Sequence, residues 1–396
     1  MRFGSEVLRG LLTSSFDHYW EADLYYDGER RQERVPLTDV RPSEDAGAEI
    51  QQSMTCAVVW TDDFGRSVLP TAMEDPFAPF GAQLQVFSVV HSGPFVERVP
   101  YGWFLITDVP SARDEQMRFR GDWITVGSTV ELELKELTAA IGEETFDVPT
   151  APASLVSAWD EVGRISGMPI ERAVPDAAIT RSVMYEDEKI KALYELMDVI
   201  LSAVPHMTAD GALSARPKAW PDPVDRITRE VLVDIGSMMS AGKVYNRVVV
   251  RANGADQAAV LAVAEITTGP LRVRNPAGGR SPFGARTHYL SSELVTTRAQ
   301  AQKWANETLA QVSTLRTRVV PVVELFNPLR ERGDVVLIER PTHWLIGRVV
   351  TINRGQATQS LTVEIGGTTT VADPEPLLLP GDSTFPGDGV FPGGDI

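Results

Sequence analysis

The chain has 396 residues, of which 43% are hydrophobic and 23% charged, so its composition is that of an ordinary globular protein with two or three domains. Its 37 Lys and Arg residues against 54 Asp and Glu residues give a net charge of −17. That charge disfavours a sequence-specific DNA-binding protein and binding to an anionic membrane surface. The single cysteine, Cys56, excludes an internal disulfide framework and a zinc site built from several thiolates.

The apolar segments of the chain indicate neither export nor membrane insertion. Arg9 and Gly10 interrupt the apolar residues near the N-terminus, so no signal-peptide core is formed. No apolar run approaches the roughly 20 residues that a membrane-spanning helix needs. We therefore expect a soluble protein that is synthesised in the cytoplasm and does not insert into a membrane.

A first antiparallel β domain, a barrel or a sandwich, is predicted for residues 1–150. An Asp27-Gly28 turn signal follows an aromatic-rich segment and predicts a hairpin over residues 18–36. Short alternating or apolar stretches with turn residues between them predict the further strands, at 54–60, 83–91, 96–109 and 124–134.

The middle region, residues 151–240, is predicted to be an α+β domain. Leu155, Trp159 and Val162 share one helical face, and Ser154 is the expected N-cap of that helix. A second amphipathic helix is expected from residue 189 to residue 204, because the Pro205 that follows would end it. The Asp-Gly pair within residues 206–213 predicts a tight hairpin after this helix.

Residues 241–372 are predicted to form a second β domain that contains one long helix. The helix is expected over residues 291–315, after a loop rich in Gly, Pro and Arg at 275–286. Strands are predicted before and after these segments, at 227–235, 244–251, 318–325, 334–339, 344–353 and 360–365.

Residues 373–396 are predicted to be an extended, acidic tail, because they contain five Pro, five Gly and no Lys or Arg. Within it, Pro380–Phe385 and Pro386–Phe391 form a six-residue quasi-repeat. Two interpretations stay open. The tail is either a flexible terminus or a docking peptide whose Phe385 and Phe391 enter pockets of a neighbouring chain.

Sequence motifs for catalysis, cofactors or metals are incomplete. The segment from Gly236 to Lys243 resembles a phosphate-binding loop, but it has one residue too many, and Val244 stands where Ser or Thr would bind magnesium. Residues 279–284 miss the spacing of a nucleophile elbow by one residue. No two His residues have metal-binding spacing, and Asp62-Asp63 is explained as a turn. We therefore expect a protein that is not an enzyme and has no cofactor.

The order of the features from residue 154 to residue 365 resembles the tail-hub proteins of bacteriophages and related contractile machines. Two groups of residues carry the resemblance. One is Tyr245-Asn246-Arg247 in a Val-Tyr-Asn-Arg-Val strand, and the other comprises Asn327, Pro328, Gly333 and Asp334 in the turn that leads into a strand.

The resemblance implies a β-rich α+β fold with two antiparallel β-barrel domains joined by α+β elements and followed by the extended Pro/Gly-rich tail. It implies three chains in a ring with a central channel at the virion tail tip of a long-tailed, non-contractile phage. The partners it implies are the tail tube or distal tail protein ring, the tape measure protein and the tip or receptor-binding proteins. DNA would only pass through, and an acidic wall would avoid holding its phosphates.

Two other functions stay open from the sequence. One is a tail-associated hydrolase that degrades the cell wall, which would need a catalytic constellation. The other is a carbohydrate-binding adhesin, for which the aromatic side chains around Trp20 and Trp103 would have to be exposed. Aromatic residues in strands more often pack a barrel core or a subunit interface.

Overall fold

A computed structural model of the chain describes residues 1–60, 67–179, 184–185, 188–236, 244–251, 260–291, 298–313, 317–341 and 343–366. The tail at 373–396, with Phe385 and Phe391, and the turn at Asp62-Asp63 lie outside these residues. Among the described residues, no helix is both long enough and apolar enough to cross a lipid bilayer.

The first six strands pair in a closed cycle. They are β1 Asp17–Tyr26, β2 Glu29–Asp45, β3 Gln52–Trp60, β4 Gln83–Ser92, β5 Phe95–Phe119 and β6 Asp122–Glu136. Their antiparallel order is β1-β4-β5-β6-β3-β2, and β2 pairs back onto β1. The expected hairpin at Asp27-Gly28 is confirmed, and both residues have the positive φ that a tight two-residue turn needs.

Period-two patterning explains why these strands enclose a core. In β6, Val130, Leu132 and Leu134 are buried, whereas the residues between them are exposed. A short helix, α1 Glu6–Leu11, places Leu8 against Val90 and Val99 of this group.

The middle region combines short helices with one hairpin. Its elements are α2 Thr138–Gly142, α3 Ala158–Ser166, α4 Lys189–Glu195, a π-helical turn Leu196–Ile200, β7 Ala203–Met207 and β8 Leu213–Pro217. These elements share one apolar core, in which Trp159 is 1% exposed. The expected hairpin after the second helix is confirmed, with Gly211 in its turn at φ +84°.

Two boundaries in the middle region differ from the expectation. The N-cap of α3 is Ser157 rather than Ser154, because the Asp176 carboxylate accepts a hydrogen bond from the Ser157 hydroxyl and another from the Trp159 amide. The second helix ends at Ile200 rather than Val204, since Ser202 has a left-handed backbone and the chain then turns into β7. Pro205 therefore lies in a strand and does not stop the helix.

Six more strands form a second group. They are β9 Asp225–Ile227, β10 Leu232–Ile235, β14 Thr317–Leu325, β15 Val335–Glu339, β16 Trp344–Arg354 and β17 Thr358–Gly366. Their order is β9-β15-β16-β17-β14-β10, and only the β9–β15 pair is parallel. The single strand expected at 227–235 is two short strands, because a turn at Thr228–Val231 separates them. Three residues of β2 pair with β16 and join the two groups.

The third β element is a small sheet of β11 Arg247–Arg251, β12 Val260–Glu265 and β13 Thr287–Ser291, with β11 in the centre. Helix α5 Arg298–Val312 covers it, and Ala301 and Ala305 pack against Val248 and Val250. The described helix lies within the predicted 291–315, and Ser291 is the last residue of β13 rather than the start of the helix. Residues 292–297 and 314–316 lie outside the described ranges.

Candidate functional site: a buried charged junction

The loop between β14 and β15 carries four of the residues singled out in the sequence, and its turn is local in origin. The Asn327 side-chain oxygen accepts a hydrogen bond from the Leu329 amide at 2.9 Å, which is an Asx turn. Pro328 is buried beside it. After this turn, Arg330, Glu331 and Arg332 follow one another, and all three side chains are buried.

Arg330 holds the loop to the second six-strand group. Its Nε and Nη2 donate to the two carboxylate oxygens of Glu324, each at 2.9 Å, and its Nη1 donates to Asp225 at 2.7 Å. The guanidinium is 1% exposed. This forked, charge-assisted pairing fixes the direction of the side chain as well as neutralising its charge.

Arg332 holds the same loop to the first six-strand group. Its guanidinium donates to the Gln51 oxygen at 2.8 Å and to Glu136 at 3.1 Å, and its backbone amide donates to Glu44 at 3.2 Å. No part of this residue is exposed. An arginine removed from water in this way is tolerated only because it is paired with carboxylates and hydrogen-bonded.

Glu331, which lies between the two arginines, holds the loop to the middle region. Its carboxylate lies 3.0 Å from Arg216 of β8 and 3.5 Å from His206 of β7, and 3.3 Å from the amino group of Met1. Burial opposes ionisation, but Arg216 and His206 hold the pKa of Glu331 well below its usual range. Three consecutive residues thus reach three different parts of the molecule.

Glu44 of β2 is the acidic centre of the junction. It is fully buried and pairs with Arg2 at 3.1 Å, with Arg332 at 3.7 Å and closely with Arg354 of β16, while the Tyr101 hydroxyl donates to it at 3.0 Å. Burial alone would raise the pKa of Glu44, but the three arginines lower it below its ordinary value. Glu44 is therefore an ionised carboxylate inside the protein.

Gly333 and Asp334 complete the loop. Gly333 has φ +81°, and a Cβ there would lie 2.5 Å from Nη1 of Arg216. Its amide donates to the Val349 carbonyl at 2.7 Å. Asp334 accepts the Glu331 amide at 2.8 Å and pairs with the Met1 amino group, although burial raises its pKa. The glycine permits the close approach that the arginine requires.

A cavity of about 410 Å³ lies beside the junction. Its charged walls are Arg216, Asp334, Arg348 and Glu364, and valines and prolines contribute most of the rest. Arg348 donates to the carbonyl oxygens of Lys218 and Ala219, so this charge also serves the fold. Within the described ranges, no group of three His, Cys, Asp or Glu side chains is arranged to hold a metal ion.

The other family-like residues lie outside the junction, in the small sheet. Asn246 is fully buried, and its amide donates to the Leu271 and Gly284 carbonyls at 2.9 and 2.6 Å. Its oxygen accepts the Arg286 amide at 2.7 Å. Tyr245 packs against His288, and Arg247 pairs with Glu265 at 3.6 Å. Asn246 therefore holds the chain at Leu271 and at Gly284 to Arg286, on either side of most of the Gly/Pro/Arg-rich loop.

The aromatic residues named for an adhesin are packed. Trp20 is 8% exposed and contacts Tyr101 and Phe326 edge to face. Trp103 is partly buried against Tyr25, and its indole lies close to the position that a Cβ on Gly211 would take. These side chains join parts of the protein, so they do not form the exposed platform that glycan binding needs.

Sequence reasoning identified Asn327, Gly333 and Asp334 but missed the charged side chains that make the junction. Arg330, Arg332, Glu44, Glu136 and Glu324 are each no more than 2% exposed. The available signal was the alternation of charges in Arg330-Glu331-Arg332 directly between two apolar segments. Its partners are as many as 288 residues away, so the sequence alone does not identify them.

Comparison with known proteins shows which solved structures this architecture resembles. No protein-family model and no curated protein sequence matches the chain. Among solved structures, a tail protein from Neisseria meningitidis MC58 is similar with a TM-score of 0.54 and 11% identity, over 87% of this chain and 96% of that one. The 43 kDa tail protein of prophage MuSo2 from Shewanella oneidensis gives 0.53 and 12%, over 87% and 98%.

A third similar structure is the Francisella PdpA-VgrG complex in its half-lidded form. Its TM-score is 0.52 at 7% identity, and the match covers 91% of this chain and 60% of that chain. The present chain therefore shares, over most of its length, the fold of the Neisseria and Shewanella tail proteins.

Proposed function

We propose that the chain is a structural protein of a phage-type tail, in which three copies form the hub ring at the tail tip. The observation that carries this proposal is the fold shared with two tail proteins over 87% of the chain. In this role the two six-strand groups act as two barrels of each chain, so that three chains present six modules to the tail tube or distal tail protein ring.

The charged junction supports a role in transmitting load. A ring between a tube and tip proteins needs its modules held at fixed angles, and Arg330, Glu331 and Arg332 bond to three of them. Buried ion pairs add little net stability compared with apolar packing, but they are geometrically demanding. We propose that their contribution here is to fix the orientation of the modules.

The end of the β5–β6 hairpin supports association between chains. We name residues 114–127 the arm. Within the described part of the chain, its strand residues from 115 to 127 pair only with each other, and Met117, Phe119 and Trp123 are 46%, 51% and 68% exposed. An isolated two-stranded ribbon is marginally stable and exposed apolar patches mark contact sites, so we assign the arm to the contact between copies.

In the complete tail, the hub would contact the tape measure protein and carry tip or receptor-binding proteins on its distal face, and DNA would pass through its channel. The tail would be of the long, non-contractile type. The chain would act without catalysis and without a cofactor.

The location in the virion is tested with tail particles assembled from an epitope-tagged copy of the chain. The tag is placed at the exposed Gly93, in the turn between β4 and β5, where a Cβ meets no neighbouring atom. Antibody label at the tip in electron micrographs is the expected result. Label along the tube, at the head, or absent from complete particles would contradict the proposal.

A further inference from the structure

The small sheet carries a basic loop on an otherwise acidic chain. Residues 267–286, which we name the arginine loop, contain Arg272, Arg274, Arg280 and Arg286 and no Lys, Asp or Glu. The C-terminal segment 373–396 has the opposite composition, with five acidic residues and no Lys or Arg. We propose that the arginine loop binds the acidic segment 373–396 of its own chain.

The arginine loop is already ordered for binding. Asn246 anchors the loop near its two ends. Within the loop, the side-chain amide of Asn275 donates to the Arg280 carbonyl at 2.9 Å, and the backbone amide of Gly278 donates to the Asn275 carbonyl at 3.0 Å. Arg272 donates twice to the Asn275 oxygen, at 3.1 and 2.9 Å. A ligand therefore does not have to order this backbone when it binds.

Two arginines of the loop lack an acidic partner in the described structure. Arg274 and Arg280 face each other across an isolated β-bridge, and both are exposed. Among the described residues, no carboxylate lies within 4.0 Å of either guanidinium, whereas the exposed Arg30, Arg31 and Arg172 are each paired with one. Like charges opposite each other are unfavourable, so an anion between them would stabilise the loop.

Aromatic surfaces accompany these charges. The Arg286 guanidinium lies over the Phe283 ring at 4.5 Å, and Arg251 lies over the exposed Tyr289 ring at 3.9 Å. The acidic segment offers Phe385 and Phe391 next to its carboxylates. Stacking on guanidinium planes is therefore available in addition to the ion pairs.

The tethered segment is favoured over a nucleic acid as the occupant. A phosphate backbone that approaches the loop is repelled by the rest of a chain with a net charge of −17. The acidic segment follows the last described strand, which ends at Gly366. The residues from there to Asp382 can span roughly 50 Å. This span exceeds twice the radius of gyration of about 21 Å expected for a chain of this length. The tether also gives the segment a millimolar effective concentration near the loop.

The test uses the full chain with Ala277→Cys in the turn of the arginine loop and Ser383→Cys in the acidic segment. The native Cys56 is 4% exposed, and burial raises its pKa to about 12, so it stays an unreactive thiol. At low salt we expect an intramolecular disulfide to form about fivefold faster than in a matched control with Val156→Cys and Ser383→Cys. Val156 is 82% exposed and serves as a surface position in the middle region, outside the small sheet.

Two further variants identify the charges that matter. Arg274→Glu/Arg280→Glu and, from the other side, Asp382→Asn/Asp388→Asn should each reduce the rate to that of the control, as should high salt. Arg274 and Arg280 are exposed, and Asp382 and Asp388 lie in the acidic segment, so none of these substitutions should unfold the protein. A reduced rate of disulfide formation in both variants would therefore reflect the lost charges.

Three outcomes would overturn the proposal. The first is an equal rate at the loop and at Val156, or a rate that the Arg274→Glu/Arg280→Glu variant leaves unchanged. The second is a disulfide found only in covalent dimers, which would show that the segment comes from another copy. The third is binding of a short DNA duplex that depends on Arg274 and Arg280 while the disulfide forms no faster than in the control.

Discussion

At the scale of single residues, the junction depends on one missing side chain and on several paired charges. Gly333 leaves the space that Arg216 occupies on its way to Glu331. Glu136 neutralises Arg332 from β6, where the adjacent acidic position on the same strand, Glu133, faces solvent. The contribution of each residue to stability can therefore be measured by comparing its substitution with the same substitution at a position that lacks these contacts.

Replacing Gly333 with Ala should destabilise the protein more than replacing Gly278 with Ala. Both glycines have φ near +80°, so each substitution costs about 1 to 2 kcal/mol in backbone strain. A Cβ at 278 meets no neighbouring atom, whereas one at 333 displaces Arg216 and adds about 1 to 3 kcal/mol. Denaturant unfolding measures both differences, and equal losses would contradict the steric role of Gly333.

Glu136→Gln should cost about 3 kcal/mol of unfolding free energy, because it leaves the buried Arg332 with only the distant carboxylate of Glu44. Glu133→Gln, three positions earlier on the same strand and on its exposed face, should change stability by less than about 0.5 kcal/mol. Comparable effects of the two substitutions would show that the buried pairing does not hold the junction.

At the scale of elements, the sequence predicted best where local rules decide. The Asp27-Gly28 hairpin and the strands of the first group follow from turn chemistry and alternation, and they are present. The predicted start of α3 was wrong because Asp176, which is distant in the sequence, decides it, and the predicted end of the second helix was wrong because the chain turns into β7 at Ser202. Strand β12 went unpredicted because its sequence VLAVAE, with two alanines between and after its valines, gives a weaker β signal than the three consecutive valines of β11.

The same contrast holds for the site. The Asn327 turn and the positive φ of Gly333 are local and could be expected from the sequence. The pairing of Arg332 with Glu44 and Glu136 spans 288 and 196 residues, and only the tertiary fold brings these residues together.

Asn246→Ala should loosen the arginine loop specifically. The substitution removes hydrogen bonds to both ends of the loop and leaves two carbonyls without their donor, at a cost of about 2 kcal/mol. Hydrogen exchange of residues 267–286 should become roughly 30-fold faster. Asn306→Ala on the exposed face of α5 is the control, and an equal change there would contradict the anchoring role of Asn246.

The arm should control association between chains. Phe119→Ser/Trp123→Ser removes two exposed aromatic rings and should weaken assembly by about 3 kcal/mol or more, which is about a hundredfold in the dissociation constant. Met73→Ser/Val156→Ser changes two apolar residues elsewhere that are 64% and 82% exposed, and it should leave assembly intact. Sedimentation over a concentration series separates the two variants, and identical behaviour would exclude the arm as the contact.

At the scale of the whole molecule, the charge is distributed in three different ways. Inside the protein, the junction pairs Arg2, Arg330, Arg332 and Arg354 with Glu44, Glu136 and Glu324, and it pairs Arg216 with Glu331. The excess of acid therefore lies on the surface and in segment 373–396, and the arginine loop is the local exception. An acidic channel wall remains part of the proposed role, since it would not retain DNA phosphates.

The modules are continuous rather than separate, because β2 pairs with β16 and the junction bonds three of them. We therefore expect the protein to enter an assembly as one rigid unit. The domain limits predicted at residues 150, 240 and 372 remain predictions, to be compared with the cooperative units seen in unfolding.

The most direct test of the central claim is the native mass of the full chain in solution. The hub proposal predicts a particle of about 130 kDa, three times the chain mass of 43.4 kDa, that persists on dilution to micromolar concentrations. A species of 43.4 kDa at every concentration would contradict the trimeric hub, even though the shared fold would stand.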